Sequence, residues 1–234
     1  MELAIFDKDG TLIDFHRMWA GWVAELGDRV AAANGGRRLD GVLHDVMGVD
    51  VATGRVLPHG GLAATPMARL RDRVVEAVAA AGLASGEARR IVADAWHAPD
   101  PVVLATPVAE LRPLFGALRA RGILVAVATS DDREPTERTL AHLGVADLVS
   151  ATACADDGLP VKPAPDAVHA ICRSLGVAEA RTAVIGDSPA DLAMGRSAGA
   201  GLVVGVLTGV GDRRALAPSA DLVLGSIAEL QPPG

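Results

Sequence analysis

The chain has 234 residues, half of them hydrophobic and 22% charged, with a net charge of −7. That is enough for one large domain or a domain carrying a sizeable insert. The acidic balance argues against nucleic acid as a partner. No basic run and no apolar stretch of about 20 residues is present, so a membrane partner is not expected either.

The first strand is read at residues 2–6, with no basic leader before it, and a cytoplasmic protein is expected. Two cysteines, Cys154 and Cys172, are too few for a disulfide scaffold and are read as buried thiols. Residues Phe15 to Gly36 then carry helical spacing, with Trp19, Trp22, Val23, Leu26 and Val30 at three- and four-residue steps. A short helix is predicted over Leu39 to Met47, a turn-rich loop or small hairpin over Gly48 to Pro66, and helices over Met67 to Ala81 and Gly86 to Trp96.

After residue 104 the pattern changes. Helices at Pro107 to Arg121, Glu134 to Leu143, Asp166 to Leu175 and Pro189 to Ser197 alternate with apolar strands. The strands are "ILVAVATS", "DLVSATAC", "RTAVIGDS", "GLVVGVL" and "DLVLGS". Such alternation predicts an α/β fold, a doubly wound Rossmann-like parallel sheet covered on both faces. Residues 1–14 and 105–234 then form the core, and residues 15–104 a helical insert.

In such a sheet, ligands bind at the carboxyl ends of the strands. Reading those ends gives Asp7 and Asp9, then Thr129, Ser130 and Asp131, then Lys162 in "DDGLPVKPAPD", then Asp187, Ser188 and Asp191 in "IGDSPAD". Residues i and i+2 of an extended segment point the same way, so Asp7 and Asp9 are expected to share one pocket while Lys8 faces elsewhere. Converging carboxylates repel unless a cation neutralises them. Asp7 and Asp187, with a backbone carbonyl and waters, suit Mg²⁺, and the four loops hold no cysteine or histidine to favour zinc or copper. All but two of the 22 basic residues are arginine, the exceptions being Lys8 and Lys162. A coding bias explains the arginine excess, and lysine persists where a compact ammonium is needed. Mg²⁺ with one lysine and one threonine hydroxyl is a site for a phosphoryl group.

These segments, "DKDGT", "AVATS", Lys162 before "PAPD", and "GDSPAD", resemble motifs I to IV of the haloacid-dehalogenase-like (HAD) hydrolase superfamily, in order along the whole core. The insert between motifs I and II resembles the C1 cap of its phosphoglycolate-phosphatase-like branch. The resemblance implies that Asp7 is a nucleophile forming an aspartyl-phosphate, and that Asp9 is the general acid and then the base. Thr129, with Ser130, would bind phosphate, and Lys162 would hold phosphate and nucleophile together. Mg²⁺ would sit on Asp7, the Asp9 carbonyl and Asp187, with Asp191 and Ser188 in support. Gly10 would let the backbone turn near the phosphate. From the insert, His16, Arg17, Trp19 and Arg55 are candidate substrate contacts. Lys8 holds the variable position of motif I, for which a salt-bridged structural role is expected.

The implied enzyme is a Mg²⁺-dependent phosphomonoester hydrolase, a monomer or homodimer, acting on a small phosphorylated metabolite such as phosphoglycolate. Asp9 is missing in true haloacid dehalogenases. The insert contains no lysine for the Schiff base of phosphonoacetaldehyde hydrolases. A sugar phosphomutase stays open. A receiver-like signalling module is about half this length and lacks "DxDGT", and a non-catalytic phospho-ligand-binding module would be expected to lack a core motif residue.

Overall fold

Leu3–Phe6 is buried on both sides (β1), the state expected of a strand in the middle of a parallel sheet. The computed structural model describes residues 1–57, 60–65, 67–97 and 100–230, and they fall into two compact units, residues 1–15 with 101–230 and residues 16–100.

In the first unit β1 pairs in parallel with Leu124–Ala128 (β2) and Thr182–Gly186 (β4). Ala151–Ala153 (β3) extends the sheet beyond β2, and Leu202–Val206 (β5) and Leu222–Leu224 (β6) extend it beyond β4. The order is β3-β2-β1-β4-β5-β6, so the direction of winding reverses at β1 and a crevice opens at its carboxyl end. The expected parallel α/β sheet is the fold observed.

Side chains of β1 alternate between two cores. Leu3 and Ile5 pack with Ala126, Val184, Val168 and Met194 on one face. On the other, the Phe6 ring lies 5.3 Å from that of Phe115. The helices Asp166–Leu175 and Pro189–Ala198 supply the first cover and Leu111–Ala120 the second. The helix expected from Pro107 starts only at Leu111. Pro107 bridges Ile13 and the Val108 N–H donates to Leu12 O, which takes these residues out of helical conformation. The strand expected over "DLVSATAC" shortens to three residues because Ala146–Leu148 form a 3₁₀ turn.

The second unit is helical. Phe15–Ala33 (α1) buries Trp22, Val23, Leu26 and Val30 of the stripe its spacing predicted, together with Met18, while Trp19 is only half-buried. Asp40–Met47, Gly61–Ala64, Met67–Ala80 and Ser85–Ala95 complete it. Trp22 is its aromatic centre, edge-on to Trp19 and Trp96 at ring separations of 5.7 and 5.4 Å. The segment Gly48 to Pro66, expected as a loop or small hairpin, contains an antiparallel Val49–Val56 bridge and the short helix Gly61–Ala64. Its Pro58, His59 and Pro66 lie outside the described residues. Phe15 and a short helix at Pro101–Leu104, expected in the insert, group instead with the sheet. No helix among the described residues is long and apolar enough to cross a membrane.

Candidate active site

Three strand ends deliver the site. Asp7 directly follows β1, with its N–H still bonded to Ile185 O at 2.8 Å, so the carboxylate leaves the sheet in strand register. Thr129 follows β2 and donates its N–H to Ala153 O at 2.9 Å. Asp187 follows β4. Between them lies a cleft of about 220 Å³ whose lining includes Asp7, Asp9, Thr129, Ser130, Lys162, Asp187, Ser188 and Asp191. Five loops of the first unit therefore meet in one crevice, the fifth being the one after β5, at Val210.

Lys162 crosses the loop before the Asp166 helix to reach two carboxylates. Its Nζ lies 2.5 Å from Asp7 Oδ1 and 2.6 Å from Asp191 Oδ1. Burial acts to lower the Lys162 pKa, but the charges of Asp7 and Asp191 outweigh it and hold it above the ordinary lysine range. Asp191 does two jobs with its two oxygens. Oδ1 takes Lys162, while Oδ2 accepts the N–H and hydroxyl of Ser188 in the capping box that starts the Pro189–Ala198 helix. Asp191 thus serves the start of that helix and the Lys162 ammonium at once.

Carboxylate oxygens of Asp7, Asp187 and Asp191 all lie within 4.8 Å of one another. Burial pushes Asp7 well above the usual carboxylate range, and Lys162 only partly offsets this. Asp187 rises to about 7, first through burial and then through repulsion from Asp191. A divalent cation relieves just this kind of crowding. The donor set fits a hard ion, because every candidate ligand atom is oxygen. Asp7, Asp187 and Asp191 are the carboxylates that could hold such an ion, and both oxygens of Asp191 are already engaged by Lys162 and Ser188. The Asp9 carboxylate stands outside this trio.

Two glycines wall Asp187. Gly10 has φ +87°, and a Cβ there would sit 2.6 Å from Asp187 Cγ. A Cβ on Gly209 would overlap the Asp187 carboxylate too. The loop bearing Gly209 also fixes the site directly: Val210 N–H donates to Asp187 Oδ2 at 2.7 Å, and Thr208 Oγ1 donates to Gly10 O at 2.6 Å. Sequence reading missed Thr208, Gly209 and Val210. They follow β5 as Asp7 follows β1, so the same strand-end rule would have found them.

Lys8 corrects the expectation that it faces away from its neighbours. Its Nζ donates to Asp9 Oδ1 and Oδ2 at 2.8 and 2.7 Å and pairs with Asp131 Oδ2 at 2.9 Å. Strand alternation fails here because β1 has already ended at Phe6. Lys8 O accepts the N–H groups of Leu12 and Ile13 in a turn at Gly10, which brings the lysine stem round to Asp9. Burial raises the Asp9 pKa, with Lys8 opposing and Asp131 reinforcing that rise.

His16 is buried, and its Nδ1 accepts the Val56 N–H at 3.1 Å, which places its ring proton on Nε2. Arg17 and Arg55 are exposed, and Trp19 packs edge-on to Trp22. Cys154 and Cys172 are buried free thiols.

Comparison with known proteins bears on this constellation. The family model described as haloacid dehalogenase-like hydrolase matches residues 1–199. Phosphoglycolate phosphatase of Rhodospirillum rubrum is 34% identical over 183 residues, 71% of this chain and 76% of that protein. Validoxylamine A 7'-phosphate phosphatase of Streptomyces hygroscopicus subsp. limoneus is 30% identical over 233 residues, 99% of this chain and 97% of that protein. Among solved structures, a HAD family hydrolase from Deinococcus radiodurans R1, with bound phosphate and sodium, superposes with a TM-score of 0.64 at 24% identity, covering 98% of this chain and 93% of that one.

Proposed function

The chain belongs to the haloacid dehalogenase-like hydrolase family, and from that premise we propose that it is a Mg²⁺-dependent phosphomonoester hydrolase working through an aspartyl-phosphate on Asp7. The observation that carries this reading is the buried Asp7 carboxylate, held 2.5 Å from Lys162 Nζ at the end of the central strand and facing one cleft with Asp9 and Thr129.

Asp7 attacks the phosphorus of a phosphate ester. The ester P–O bond breaks, and its electron pair stays on the leaving oxygen, which takes a proton from Asp9. Asp9, now a carboxylate, removes a proton from the water that attacks the aspartyl-phosphate, which frees inorganic phosphate and restores Asp7. Lys162 and the Thr129 hydroxyl, with Ser130, hold the phosphoryl oxygens while charge shifts between them. Asp191 and Ser188 orient Lys162. Asp7, Asp187 and the Asp9 carbonyl would hold Mg²⁺, which supplies charge neutralisation at the phosphoryl group.

The two curated relatives are named for different phosphorylated molecules, so what they support in common is a small phosphate ester as substrate. Phosphoglycolate is the first compound to try. We read residues 16–100 as the cap that tunes specificity. A screen of phosphorylated metabolites with Mg²⁺ tests the reading. Release of inorganic phosphate supports hydrolysis, and an isomeric sugar phosphate as product would identify a phosphomutase instead.

A further inference from the structure

We propose that Lys8 is a positioning residue for Asp9. Its buried ammonium clamps the proton-transfer carboxylate in the cleft and ties it to the loop that carries Thr129. The proposal deepens the reading above and rests on Asp9 being the proton donor.

Three observations lead to it. First, Lys8 is 1% exposed, although burying an ammonium costs several kcal/mol that a carboxylate partner only partly returns. Its partner Asp131 is 39% exposed, so stability alone is a weak reason for the pair. Second, the contacts form a continuous chain between two loops. Lys8 Nζ grips both oxygens of Asp9 and one of Asp131, and the Asp131 N–H donates to Thr129 Oγ1 at 3.2 Å. The carboxylate that moves protons and the hydroxyl proposed to bind phosphate are thus fixed relative to one another. Third, the only two lysines of the chain do parallel work. Lys162 joins Asp7 to Asp191, and Lys8 joins Asp9 to Asp131. Each aspartate of the first motif has its own ammonium, bridged to an acid from another loop.

The consequence is specific to proton transfer. An Asp9 oxygen must stay within hydrogen-bond reach of the leaving oxygen. An aryl leaving group departs with little protonation, whereas an alkoxide needs it. Releasing Asp9 should therefore harm alkyl esters more than aryl esters.

The test compares p-nitrophenyl phosphate with phosphoglycolate, or with the alkyl phosphate that the wild-type enzyme turns over fastest. In Lys8→Met, kcat on the alkyl ester should fall at least about tenfold further than on the aryl ester, while KM changes little, as expected when a proton donor is displaced by about 1 Å. Asp131→Asn should shift the same ratio by a smaller factor, and its partly exposed site keeps that arm usable if Lys8→Met does not fold. A second readout is magnetic resonance of isotope-labelled lysine ammonium groups. Two signals are expected, and Asp131→Asn should move the one lost in Lys8→Met. Equal losses on both esters in both variants, or no loss, would overturn the proposal and leave Lys8 a structural residue. Failure of the underlying reading looks different: Asp9→Asn would then spare alkyl-ester turnover whatever Lys8 does.

Discussion

Lys162 and Asp7 are 155 positions apart in sequence, yet their charged atoms lie 2.5 Å apart at the end of β1, both side chains about nine-tenths buried. The lysine is also the link to Asp191, at 2.6 Å. Removing it leaves two buried carboxylates facing one another. Lys162→Met should lose essentially all turnover and about 3 kcal/mol of stability, the usual cost of breaking a buried pair from one side. Thermal and denaturant unfolding measure the second quantity. Unchanged stability would mean that the carboxylates find another neutralising group.

Gly10→Ala forces a methyl group against Asp187 in a backbone conformation that L-residues avoid. We expect about 1–2 kcal/mol of destabilisation from φ alone. Displacement of the carboxylate proposed to hold the metal should also lower Mg²⁺ affinity about ten- to a hundredfold. Calorimetric titration of Mg²⁺ into the variant checks this.

The metal-free protein should be pH-sensitive. The folded pKa of Asp187, about 7, lies above its unfolded value near 3.9, so the folded state keeps a proton that the unfolded state releases. That stability is fully present below about pH 4 and is lost as pH rises through about 7. Asp7 and Asp9 are raised too and act in the same direction. The lowered surface acids Asp147 and Asp157 titrate below this window. Melting temperature without Mg²⁺ should therefore fall between about pH 5 and 8, less so in Asp187→Asn, and the stabilisation by Mg²⁺ should grow over the same range. A melting curve that ignores both pH and Mg²⁺ would count against the metal assignment.

Arg55 is exposed in the helical unit, outside any core. If that unit sets specificity, Arg55→Ala should change the ratio of kcat/KM for phosphoglycolate and p-nitrophenyl phosphate by about fivefold or more, a difference near 1 kcal/mol. Equal losses on the two substrates would contradict that division of labour.

Much of the site was legible because strand ends can be read from apolar runs. Asp7, Thr129 and Asp187 each follow a buried strand, and their convergence follows from parallel topology alone. What strand reading could not give was the side-chain path after a strand stops. Lys8 reaches Asp9 because the chain turns at Gly10, and no alternation rule applies in a turn. The loop over Thr208 to Val210 works through one hydroxyl, a backbone N–H and a bare Cα, which leave little trace in sequence. Helix and strand ends moved where a local bond won, as Pro107 bridging Ile13 delayed the helix that its spacing predicted.

The central claim is that Asp7 becomes phosphorylated during turnover. Rapid quench in acid after mixing the enzyme with Mg²⁺ and a radiolabelled phosphate ester tests it most directly. We expect a transient phosphoprotein, labile to hydroxylamine, with the label on Asp7 and none in Asp7→Asn, whose turnover should fall at least about a thousandfold. Hydrolysis that proceeds with no labelled protein, or that survives in Asp7→Asn, would contradict it.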